Sequence, residues 1–92
     1  METLKKLLKC EAKLLSEADK YAEKYRMTKD EDSMLADYYY NLADLHLQGY
    51  MKTKTTIASY LNKHTDMKDM TEVYSVLKTL MDDFYTDIKE KM

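Results

Sequence analysis

The chain has no proline and no tryptophan, one glycine, one cysteine and, among its 15 basic residues, one arginine, Arg26. Each scarcity excludes something. Without proline, and with only Gly49 to loosen a backbone, nothing forbids long helices; Leu, Lys, Glu, Ala and Met, which cost least in a helix, are plentiful. A lone Cys10 excludes an internal disulfide and a cysteine metal cluster, and it suits a reducing, cytoplasmic setting. A lone arginine leaves little bidentate recognition of phosphate or guanine, and a net charge of −2 gives no general pull toward nucleic acid. The N-terminal METLKKLLKCEAKLL lacks the apolar run of a signal peptide, and no stretch approaches the ~20 apolar residues of a membrane span.

What is present is 92 residues, 45% apolar and 35% charged: a single domain over 1–92, near the size at which one core is only just sufficient. The expected fold is all-α, a small antiparallel helical bundle. Leu4, Leu7, Leu8, Leu14, Leu15, Ala18, Tyr21, Ala22 and Tyr25 keep helical spacing, giving a first helix over about 4–26. Thr28 with Glu31 three residues on reads as a capping box, so a second helix starts near 29. From Leu35, an apolar face stays in phase through Leu42, His46, Tyr50, Ile57, Leu61 and His64. That register favours one helix over 29–64, whereas Gly49 and the run KTKTT favour a break near 49–55 and hence four helices. HTDMKD is the next boundary, with Thr65, Asp66 or Asp69 as cap. The third helix, about 67–90, confines Met70, Val73, Tyr74, Leu77, Leu80, Met81, Phe84, Tyr85 and Ile88 to about 140° of arc.

A middle helix longer than its neighbours would be covered by the first helix along one half and by the third along the other. Such a monomer exposes apolar sides at both ends, and a homodimer is expected to cover them.

Three constellations stand out. Glu11 lies amid the first helix's leucines and needs a partner. Pairing the first two helices about a turn near residue 28 makes facing residue numbers sum to about 56, which brings Glu11 toward His46; the turn near 65 brings Tyr85 there too. The expected polar core cluster is Glu11, His46 and Tyr85, fixing helix register rather than doing chemistry. In the stretch MLADYYYNLADLHLQGYM, Tyr38 and Tyr39 flank the core face, while Tyr40, Leu47 and Met51 form a further stripe beyond the reach of one partner helix: the expected interface. Lys52, Lys54 and Lys63 form a local cationic face, a candidate contact for an anion or nucleic acid.

No Glu-x-x-His pair, glycine-rich phosphate loop or nucleophile with an evident base is present, so neither a metal, a cofactor nor an enzymatic activity is expected. The expected function is a non-enzymatic protein–protein interaction module. Small size, mild acidity, exposed tyrosines and a lysine-biased, AT-rich style of composition suit a phage or mobile-element protein that binds and modulates a host protein, for example as an inhibitor of a defence system. The alternative is a DNA-binding regulator using the lysine-bearing 52–78 region, although its would-be recognition helix MTEVYSVLKTL carries one lysine and one glutamate.

Overall fold

A computed structural model describes residues 2–64, 66 and 68–92. Thr65 and Met67, a candidate cap and the expected first residue of the third helix, lie outside the described residues. The chain forms three helices, α1 (Glu2–Thr28), α2 (Ser33–Lys63) and α3 (Lys68–Lys91), and no strand among the described residues. They run up, down and up in a bundle of 53 × 19 × 15 Å.

The first turn lies later than the capping-box reading places it. Thr28 is the last residue of α1, its hydroxyl donating to the Lys24 carbonyl at 2.9 Å. The cap of α2 is Asp32, whose extended backbone frees its carboxylate to accept from the Leu35 amide at 3.1 Å. This moves the pairing register: Leu14 meets Gly49 and Tyr25 meets Tyr40, so facing numbers sum to 63 and 65 rather than 56.

Gly49 does not break α2. Its backbone carries no positive φ, and a Cβ there would stand 3.2 Å from Leu14 Cδ2, so the missing side chain lets α1 and α2 approach. The threonines that weaken the run turn their hydroxyls back on the helix: Thr53, Thr55 and Thr56 donate to the carbonyls of Gly49, Met51 and Lys52 at 2.9, 3.1 and 3.0 Å. The buried row Ala36, Ala43, Tyr50, Ile57 repeats every seven residues through the doubtful segment. Unbroken phase outweighs local propensity here, because a break would turn half of that row out of the core.

The expectation that α1 covers only half of α2 is corrected. With α1 at 27 residues and α2 at 31, the two are nearly matched, and both reach both ends of the bundle. At the turn end Leu15, Ala18, Ala22, Ala43, Leu47, Tyr50 and Ile88 form one cluster; at the other end Leu4, Ile57, Leu61 and Tyr74 form a second. At the turn itself Met27, Met34, Leu35 and Tyr38 stay exposed. The small residues Ala18, Ala22, Ala43 and Gly49 let α1 and α2 lie close, whereas α3 stands off from both and meets them through long side chains such as Tyr50, Tyr74 and Tyr85.

Candidate functional site

Glu11 is buried, 0% exposed, in the row of α1 that also carries Leu4 and Ala18. Its expected partners are not the ones it has. At its height the shifted register presents the Tyr50–Lys54 turn of α2, and α3 supplies Tyr74, whose hydroxyl donates to Glu11 Oε2 at 2.9 Å. His46 lies nearer the turn, its ring N–H donating to the Leu42 carbonyl at 2.7 Å and its ring 5.4 Å from that of Tyr21. Tyr85 stacks on Tyr50 at 5.5 Å. The trio Glu11, His46 and Tyr85 is thus not brought together.

The polar cluster that does form ties α3 to the other two helices. Beside the Tyr74–Glu11 bond, Asp82 accepts from the Tyr50 hydroxyl at 2.8 Å and from Lys54 at 2.7 Å. Burial pushes the Glu11 carboxyl above its ordinary range, against the opposing pull of the Tyr74 hydroxyl and of Lys54. Among the described residues Glu11 Oε1 has no hydrogen-bond partner. Burial also pushes Asp82 up, but the bonds from Lys54 and Tyr50 outweigh it and hold that carboxyl below its usual value. Burial first, and then the bonds to their carboxylates, push the Tyr50 and Tyr74 hydroxyls well up, so both stay protonated donors. Sequence spacing finds Glu11 but not this cluster, since Tyr74 and Asp82 are reached only when α3 is set against both other helices.

The expected interface stripe is also redrawn. Leu47 is core, 1% exposed, between Ala43 and Tyr50. Tyr40 and Met51 are both exposed, as expected, Tyr40 with its ring in an edge-on contact 5.3 Å from that of Tyr25. The buried face is centred on Ala43, Tyr50 and Ile57, and Leu35 sits about 80° to one side of it. Tyr39 therefore stacks across on Tyr21 at 6.3 Å, while Tyr38 touches Tyr39 and otherwise faces outward.

Of the three lysines, Lys54 is spent on Asp82 and on the Tyr50 ring, 5.9 Å away, whereas Lys52 and Lys63 are exposed. Among the described residues no group of three or more His, Cys, Asp or Glu is placed to hold a metal ion. No described helix is long and apolar enough to cross a membrane.

The surface that sequence reading passed over is on α3. Val73 and Leu80 each precede a residue turned to the bundle, Tyr74 and Met81, and so point about 100° away from it. With Val76 and Phe84 they make one line of apolar side chains that are 52%, 61%, 65% and 38% exposed for Val73, Leu80, Val76 and Phe84 respectively. At the amino end this line runs toward an open groove of about 350 Å³ between α1 and α3, lined by Leu4, Lys5, Leu8 and Met70 together with Glu2. The width of the apolar arc on α3 was its signal: the bundle uses one half. Comparison with protein-family models, with curated proteins and with solved structures gives no match to this chain.

Proposed function

We propose that this protein is a non-enzymatic protein–protein interaction module, with the outer face of α3 as its docking surface for an apolar helix of another polypeptide chain. The observation that carries this reading is the line of Val73, Val76, Leu80 and Phe84, which stays 38–65% exposed along one face of α3. Exposed apolar residues scattered singly are ordinary; four in helical register along one helix are a patch of the kind that marks interaction sites. The polar cluster supports the same reading, because the Glu11 and Asp82 carboxylates are engaged in holding α3 in place, which keeps the outer face presented. Contact with nucleic acid has less behind it, since Lys54 is tied to Asp82.

A surface kept for a partner is dispensable to the fold of the isolated chain. Val76→Glu with Leu80→Glu is expected to keep full helicity and to unfold within about 0.5 kcal/mol of the parent. The same variant is expected to lose the assembly seen by light scattering and the proteins captured from the source organism's lysate. Destabilisation beyond about 2 kcal/mol, or an unchanged assembly and capture profile, refutes the reading.

A further inference from the structure

Resting on the reading of α3's outer face as a docking surface, we infer that its occupant is a second copy of this chain, set antiparallel about a two-fold axis. In that arrangement α3 lies against α3 and α1 comes beside α1. A two-fold interface must be self-complementary, and two separate patterns meet that condition at the same height.

The first is apolar. Along α3 the exposed apolar residues lie almost evenly about the midpoint between Lys78 and Thr79: Val73 and Phe84 are equidistant from it, and Val76 and Leu80 stand on either side of it to within a residue. Two such helices laid antiparallel bring the apolar line of one onto that of the other.

The second is charge. Lys91 reaches Asp19 at 2.6 Å and Glu23 at 3.4 Å, which marks the flank of α1 that borders α3. Counting back along that flank by sevens gives Ala12 and Ser16, then Lys5 and Lys9, and Lys5 does line the groove between the two helices. The flank is therefore basic at its amino end, small in its middle and acidic at its carboxyl end. On α3 the acidic end is reinforced by Asp83 and Asp87, both exposed and outside the ion pairs of the described residues. The Tyr74–Glu11 bond sets the relative height of the helices, so the middle of the α1 flank stands level with residue 77 or so, near the centre of the apolar line.

One two-fold axis can thus run through both centres. It brings Lys5 and Lys9 of each copy toward Asp83 and Asp87 of the other, while Ala12 and Ser16 let the two α1 helices approach. A parallel pair would instead set Lys5 and Lys9 against their own copies and Asp83 and Asp87 against theirs. The patch is on the order of a few hundred Å² per copy, the low end for a specific interface and the size of a transient one.

Sedimentation equilibrium from about 1 μM to about 1 mM tests this, with circular dichroism as the control for folding. The parent chain is expected to show a reversible monomer–dimer equilibrium, and Val76→Glu with Leu80→Glu to raise its dissociation constant about 100-fold or more at unchanged helicity. Lys5→Glu with Lys9→Glu, and separately Asp83→Lys with Asp87→Lys, are each expected to weaken the dimer, and an equimolar mixture of the two variants to restore it as a heterodimer. A parent chain that stays monomeric to about 1 mM, beside a folded Val76→Glu, Leu80→Glu variant, overturns self-pairing and leaves the docking surface standing. A mixture that shows no recovery overturns the antiparallel arrangement. Loss of helicity in the Val76→Glu, Leu80→Glu variant makes the line part of the core and overturns the interaction reading as well.

Discussion

Glu11 gives the sharpest test of the physical account of this bundle. It is fully buried, one of its carboxyl oxygens accepts from Tyr74 at 2.9 Å and the other has no hydrogen-bond partner among the described residues. An unsatisfied buried acceptor costs about 1–3 kcal/mol, and a buried charge more. Glu11→Leu alone trades that cost for another, because the Tyr74 hydroxyl, itself buried, loses its acceptor. Glu11→Leu with Tyr74→Phe removes both polar groups and makes the row Leu4, residue 11, Leu15, Ala18 continuous and apolar. Replacing buried charged groups by well-packed apolar ones stabilises by about 1–4 kcal/mol in the favourable cases. A gain of about 2 kcal/mol at pH 7 is expected for the double variant, or roughly 10 °C in melting temperature for a domain of this size.

The pH dependence supplies a second readout with a definite sign. Burial raises the folded-state pKa of Glu11 above its unfolded value of 4.5, so the native state holds this proton more tightly than the unfolded chain does. Stability from this group is therefore fully present below the unfolded pKa and is lost as pH rises through the raised value. Because Asp82 and Glu23 are shifted the other way, the difference between parent and double variant isolates Glu11. Urea unfolding followed by circular dichroism at several pH values above 4 should show the advantage of the double variant growing with pH. A double variant less stable than the parent at pH 7, or an advantage that shrinks as pH rises, would refute the argument.

Asp82→Asn is expected to lose about 1 kcal/mol or less at neutral pH, the Lys54 pair being partly exposed and screened, and to flatten acid unfolding. The sign follows from the lowered Asp82 pKa: its contribution is present above the unfolded value of 3.8 and lost as pH falls through the folded one, so urea unfolding between pH 2 and 5 reads it. Gly49→Ala gains about 1 kcal/mol of helix propensity and needs the half-buried tip of Leu14 to yield by a few tenths of an ångström. A net rise of about 0.5 kcal/mol in thermal unfolding is expected, whereas Gly49→Leu should destabilise; a loss on Gly49→Ala would show that Leu14 cannot move. Leu47→Ala should cost about 2–4 kcal/mol and Met51→Glu less than about 0.5, so equal effects in urea unfolding would contradict the placement of Leu47 in the core and Met51 on the surface.

Some of this architecture is written in local pattern. The helix spacing of Leu4 to Tyr25, the seven-residue row of Ala36, Ala43, Tyr50 and Ile57, and the buried anomaly of Glu11 can each be read without knowing where the other helices lie. The continuity of α2 through Gly49 belongs here too, since phase across the segment argued for it. The cap was legible in kind but not in place: Thr28 and Asp32 are both capping residues, and which one serves depends on where the chain reverses. A shift of four residues in that reversal altered everything that rested on pairing register, from the partner of Glu11 to the coverage of α2.

The amino-acid sequence by itself determined an all-α chain and favoured three helices over four, because propensity and apolar periodicity act within a few turns and no proline interrupts them. Tertiary structure alone decided which apolar residues are core and which are surface. Leu47 and Val76 are equally apolar and equally helical; the one is buried and the other exposed because an apolar arc wider than one neighbour requires can be covered from either edge. That choice depends on where the other two helices stand, a property of long-range packing that no single segment carries.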